Sequence, residues 1–327
     1  MRQQVGRLLV GLFIALPLPS LSAGLSAEIP SWLNAHVGTG EGQIAAVVLQ
    51  RARAFYGQRL ASGAVRNLCY FAMDATRPNS LADGSLGRRF YIICEGSQTF
   101  RAISSGHGSG RNLKGIADFK NDRQCAQNFG NALGSELTTG GGYVTAETKT
   151  SFKGYYRTPS KDIVALMRPF LQFEGQGETG NARTRAIGGH PAVVIRNACR
   201  TMNASSPYVD PDGYVPLGTL VDYSGGRSNG CTSWSPSDAG DIFAMVQNNP
   251  TTLYIYPDVA DIDAVAQATA RGQSLSKAGL YWNASCLKEI GAPKYWSNAV
   301  LGPIIAQYAK DHPLAPSRPL PICKGRS

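Results

Sequence analysis

The stretch GRSNGCTSWSPSD, residues 226–238, sets a cysteine directly behind a glycine and just ahead of a helix start. Ser235 suits the N-cap, Pro236 the first helical position, and Asp238 the acidic place of a capping box. Arg227 adds a positive charge four residues before Cys231. A thiol near a helix N-terminus and a cation is biased toward thiolate. Thiolate is the form that attacks a carbonyl carbon. The same residues also fit a buried structural cysteine or one half of a disulfide.

The chain holds seven cysteines, at positions 69, 94, 125, 199, 231, 286 and 323. An odd number leaves at least one thiol unpaired within the chain, and Cys231 is the natural one. The other six allow 15 pairings. Cys286 with Cys323 is the favoured pair, because both lie near the C-terminus and a bond between them ties down the tail.

The N-terminus bears on compartment. Arg2 and Arg7 flank the apolar run 8–16, and Pro17, Pro19 and small residues follow. This pattern reads as a secretory signal peptide over residues 1–27. The apolar run is far shorter than the roughly 20 residues that span a bilayer. An exported, periplasmic protein whose disulfides persist is expected. No integral membrane segment is expected after removal of the signal.

The formal charge of +10 becomes +8 without Arg2 and Arg7. The positive charge is scattered rather than gathered on a helix, which disfavours nucleic acid and suits an anionic extracellular polymer or a membrane surface. A hydrophobic fraction of 43% supplies a core, and 37 glycines and 19 prolines indicate many turns. The expected class is mainly β with inserted helices (α+β). Residues 40–61 show helical spacing, with Ile44, Val48, Leu49 and Ala52 on the apolar side. Strand patterns occupy 68–73, 143–148, 192–196, 217–223 and 251–256, and 89–94 with 100–104 reads as a hairpin. The run 162–173 fits helix or strand. Residues 236–247 and 258–271 read as helices, a shorter helix lies near 304–310, and Pro313, Pro316, Pro319 and Pro321 mark an extended tail. The chain divides accordingly into 1–27, an N-terminal helical and strand segment 28–84, a central unit 85–257 and a C-terminal extension 258–327. No His/Cys/Asp cluster has the spacing of a metal site, so neither metal nor cofactor is expected.

A cysteine nucleophile needs a base, and the chain has four histidines. His36 and His312 lie in the terminal segments and read as surface residues. His107 in GHGSG (106–110) and His190 in GGHP (188–191) both sit at strand edges, where an imidazole can face a cleft.

The run NARTRAIGGH (181–190) followed by GRSNGC (226–231) resembles the L,D-transpeptidase (YkuD-like) catalytic-domain family. Residues 89–110 and 129–147, the latter with GGYVTAE, are similar to further parts of one branch. The resemblance covers roughly residues 85–257. It implies an L,D-transpeptidase-like β-sandwich or barrel, here with an extra N-terminal helix and a helical, proline-rich C-terminal extension. It implies an exported enzyme acting on peptidoglycan stem peptides, with Cys231 as nucleophile and His190 as base. Three departures stand out: Asn229 where relatives often carry His or Trp, Pro191 after the histidine, and a long separation of 41 positions from His190 to Cys231. Either residues 192–216 loop out as an insertion, or 192–198 fills the histidine strand, with Arg196 in the usual place and His107 as the remaining imidazole.

The resemblance implies a thioester on Cys231 formed from an L–D peptide bond, then transfer to the amine of a neighbouring stem as a 3-3 or 1-3 cross-link. Gly230 and Cys231 are expected to offer backbone N–H groups to the oxyanion, and Ser228 to orient the histidine or the loop. Arg227, Asn229, Tyr143 and His107 are the candidate substrate contacts. An L,D-carboxypeptidase or peptidoglycan amidase on the same Cys–His pair is the alternative enzyme. A non-catalytic wall-binding protein is the alternative outside catalysis, and it expects Cys231 in a disulfide. A monomer is the simplest state.

Overall fold

In β1 (Cys69–Asp74) the side chains divide strictly by parity. Phe71 and Met73 enter one hydrophobic cluster, Tyr70 and Ala72 another. The next strand, β2 (Arg88–Cys94), divides likewise, with Phe90 and Ile92 on one side and Tyr91 and Ile93 on the other. A strand apolar at every position is one buried on both faces, and alternation does the sorting. The computed structural model describes residues 29–314 and 318–324.

Around this centre the elements run as follows. α1 (Ala46–Ala61) precedes β1 and packs on its Tyr70 face through Val48, Leu49 and Ala52. β3 (Thr99–Ser104) closes the expected hairpin with β2, Cys94 standing opposite Thr99. β4 (Asn128–Gly130) is short, whereas β5 (Gly141–Arg157) and β6 (Ile163–Gly175) form a long hairpin. β7 (Gly188–Pro191), β8 (Val193–Met202), β9 (Tyr214–Asp222) and β10 (Thr232–Trp234) follow. Then come α2 (Pro236–Val246), β11 (Thr252–Tyr256), α3 (Val259–Ala270), α4 (Ala284–Ile290), β12 (Lys294–Trp296) and α5 (Asn298–Asp311).

Ten strands share one mixed sheet, in the order β10-β7-β6-β5-β11-β1-β2-β3, with β9 joining at β5 and β8 pairing with β9. β12 and β4 make a separate parallel pair. The architecture is thus a large mixed sheet with a few helices, within the β-dominated class read from the sequence. The described parts of 28–84 and 258–327 contribute to the same sheet and core. β1 lies between β2 and β11 inside the sheet, and Ile262, Val265, Trp282 and Cys286 belong to the same core as Phe71 and Phe90.

Several local expectations need correction. α1 begins at Ala46 rather than residue 40, because Gly42 takes a left-handed φ of 75° and Val37 bridges Ile44 in a turn. The ambiguous run 162–173 is strand, and 192–216 is ordered as most of the β8–β9 hairpin. Disulfides join Cys69–Cys94, Cys125–Cys286 and Cys199–Cys323, so Cys286 does not pair with Cys323. The tail is pinned nonetheless, but to β8: Arg200 N–H donates to Pro321 O at 2.7 Å and Cys323 N–H to Arg200 O at 2.8 Å. Among the described residues no helix is long and apolar enough to cross a membrane. The disulfides are compatible with export, and the expected signal peptide lies outside the described residues.

Chain-entropy arithmetic ranks the disulfides. Cys125–Cys286 spans 161 positions and Cys69–Cys94 only 25. Replacing the first pair by alanines is expected to cost roughly 1.5 kcal/mol more than replacing the second, from the logarithmic loop term. Urea unfolding of the two double variants measures the difference, and equal losses would contradict the ranking.

Candidate active site

β7 and β10 lie side by side in parallel, with Gly189 opposite Thr232 and His190 opposite Ser233. This register sets Cys231, one residue before β10, beside the strand that carries His190. Close approach depends on Gly189, where a Cβ would stand 2.0 Å from the Trp234 ring. Gly230 has φ of 99°, a conformation that an L side chain resists, and it turns the chain into Cys231.

The GRSNGC loop is held mainly by backbone. Ser228 N–H donates to His107 O at 2.6 Å, and Ser109 N–H to Ser228 O at 2.8 Å. The Ser228 hydroxyl donates to Cys231 O, so this serine shapes the loop and does not orient the histidine. Arg227 donates to Asn121 O. Among the described residues nothing accepts from the N–H groups of Gly230 or Cys231. Upstream, NARTRA (181–186) is a set of turns. Arg185 passes beneath the loop to donate to Leu137 O at 2.7 Å, and Arg183 reaches Glu147 and Glu174.

Cys231 is the one free cysteine. It and His190 both line a cleft of about 750 Å³ together with Ser228, Asn229, Arg227, Tyr223, Phe170 and Arg168. The thiol lies 3.5 Å from Ala186 O, and His190 Nδ1 lies 3.0 Å from Pro191 O and 3.5 Å from the Tyr223 hydroxyl. The two functional groups thus share a cavity while each is bonded elsewhere. Among the described residues no hydrogen bond joins Cys231 to His190, and catalytic hydrogen bonds are often long in the absence of substrate.

Electrostatics corrects the expectation of a resting thiolate. Burial pushes the Cys231 thiol up, and bonding to the Gly188 backbone and the charges of Arg168 and Arg185 pull only partly against it. β10 intervenes between Cys231 and α2, although that helix is capped as expected, Ser235 Oγ accepting from Asp238 N–H at 3.1 Å. Burial also lowers His190 to about 4, with Arg168 and Lys153 reinforcing the shift. Thiol and imidazole are therefore both neutral near pH 7, which leaves the imidazole free to accept a proton.

Two candidate contacts fall outside the cleft. His107 is fully buried; its Nδ1 lies 2.8 Å from Asn79 Oδ1 and 2.7 Å from Arg89 Nη2. Its carbonyl positions Ser228, but its ring does not reach a substrate. Tyr143 is core, its hydroxyl donating to Thr139 O at 2.7 Å and its ring against Phe173. Asn229 and Arg227 do line the cleft. Arg168, Phe170 and Tyr223 were not legible as site residues. Each sits on a strand whose face is set by sheet register, and the run holding Arg168 fitted helix as well as strand. No family model, curated protein or solved structure matches the chain.

Because folding depresses the His190 pKa, the unfolded chain binds this proton first. The stability difference is absent above about pH 6.5 and grows as pH falls toward 4. His190 alone should cost about 2–3 kcal/mol between pH 7 and pH 4.5, and buried His107 adds in the same direction. Chemical denaturation of the parent and of His190→Gln at both pH values isolates the His190 share, and an unchanged acid loss in the variant would contradict it.

Proposed function

We propose that the protein is an exported L,D-transpeptidase of peptidoglycan, with Cys231 as nucleophile and His190 as general base. The observation that carries this reading is the unpaired Cys231 thiol, which shares one cleft with a neutral imidazole; among the described residues the adjoining Gly230 and Cys231 N–H groups have no acceptor. The resemblance of NARTRAIGGH and GRSNGC to that family supplies the substrate class. A β-dominated mixed sheet is compatible with it.

In the first half-reaction, Cys231 Sγ attacks the carbonyl of an L residue joined to a D residue, and His190 takes the thiol proton. The N–H groups of Gly230 and Cys231 receive the oxyanion. Collapse breaks the C–N bond, His190 returns the proton to the departing amine, and a thioester remains on Cys231. The amine of a neighbouring stem then displaces the sulfur as a 3-3 or 1-3 cross-link, with His190 shuttling the proton back. Because the resting thiol is neutral, proton transfer must accompany attack, and this gives His190 its role. Water in place of the amine yields the carboxypeptidase or amidase outcome on the same residues. The non-catalytic reading expected Cys231 in a disulfide, and the free thiol gives it no support.

Purified protein mixed with peptidoglycan fragments should give cross-linked muropeptides detectable by mass, or trimmed monomers if water is the acceptor. Cys231→Ala should abolish all product, and His190→Ala should lower kcat/KM by about 100-fold or more, the usual scale for a lost general base. In the parent, the acid limb of kcat/KM should lie near pH 4 rather than near 6.5. Activity retained by Cys231→Ala would refute the nucleophile.

A further inference from the structure

The cleft around Cys231 carries an unbalanced charge. Lys120, Arg168, Arg196 and Arg227 line it against one carboxylate, Asp122. Lys120 is already paired with Asp122 at 3.1 Å. Among the described residues, Arg168, Arg196 and Arg227 form no ion pair, whereas Arg51, Arg53, Arg101 and Arg183 each meet an acid. A guanidinium offers five N–H donors and accepts nothing. Arg227 spends one donor on Asn121 O, and Arg168 spends one on Val193 O at 3.2 Å. The remaining donors are available to a ligand.

Arg168 and Arg196 come from a different part of the chain than the catalytic loop. Arg168 is on β6, and Arg196 is on the β8–β9 hairpin that fills the long interval between His190 and Cys231. The bond from Arg168 to Val193 fastens these two strands where both face the cleft. The β8–β9 register shifts between Arg196 and Cys199, with Asn197 at a left-handed φ of 51°. A bulge of this kind re-aims the neighbouring side chain, and such bulges recur beside active sites. Arg168 is also close enough to influence both Cys231 and His190 by its charge. A ligand group held by Arg168 therefore lies in the same cleft as Cys231 and His190. A guanidinium fork matches a carboxylate or a phosphate, and a stem peptide offers the carboxylate.

We propose that Arg168 and Arg196 form an anion subsite that selects acyl donors bearing a free carboxylate on the residue that supplies the acyl group, in preference to the corresponding amides. The inference rests on the Cys231–His190 reading and on its 3-3 outcome, in which the acyl residue carries a second carboxylate, and its binding test does not depend on turnover.

The test uses the full chain with Cys231→Ala and two stem peptides that differ only in that group, carboxylate against carboxamide. Calorimetry should show the carboxylate peptide binding roughly tenfold or more tightly, the scale of one charge-assisted pair. Arg168→Gln with Arg196→Gln should bring the two peptides to equal affinity, and Arg168→Lys should keep most of the preference. Arg196 is exposed, so Arg196→Gln alone should fold normally and lose part of the preference even if the Arg168 change disturbs the sheet. Equal affinities in the parent, no binding of either peptide, or a preference that survives both changes would overturn the subsite. If the preference follows the arginines but protein with Cys231 intact forms no thioester, the catalytic reading fails and the subsite stands. A thioester formed equally well from both peptides rejects the subsite and leaves the enzyme.

Discussion

The parallel pairing of β7 with β10 is the constraint on which the site depends. Residues 43 positions apart in sequence (Gly189 and Thr232, His190 and Ser233) are brought into register, so that His190 and the residue after Cys231 lie on neighbouring rungs. That pairing survives only if the Trp234 ring fits against bare backbone at Gly189. The tryptophan is wholly buried and meets the Phe90 ring edge-on at 5.2 Å. The geometry of the cleft thus reaches back to β2 and the centre of the sheet.

Electrostatics within the cleft favours a proton-shuttling pair over a preformed ion pair. Burial raises the thiol and lowers the imidazole, so each keeps its neutral form. Arg168 acts on both in the same direction, favouring thiolate and disfavouring imidazolium.

Much of this was legible in the chain because it depends on local rules. The Ser235 cap, the hairpin around residues 95–98, the free Cys231 and the signals ending α2 all follow from short-range chemistry. What sequence left open depends on long-range register. The disulfide partners of Cys125 and Cys199 lie 161 and 124 positions away, and only the fold brings them together. His107 and Tyr143 looked like site residues because their motifs flank the cleft. Their side chains point into the interior, a one-residue alternation that motif spacing does not reveal. The thiolate expected from Arg227 and the helix start gave way to burial, a quantity that no linear pattern reports.

The bond between Cys199 and Cys323 has an implication for the order of assembly. The β8–β9 hairpin gives Val194 and Arg196 to the cleft, and its far end is strapped to the closing residues of the polypeptide. Of the seven cysteines Cys323 comes last in sequence, so this strap cannot close until the other six have been made. Until then Cys199, Cys231 and Cys323 are all unpaired thiols. Correct maturation is therefore also a matter of keeping Cys231 out of bonds meant for other cysteines, and its burial beside β7 in the folded chain serves that end.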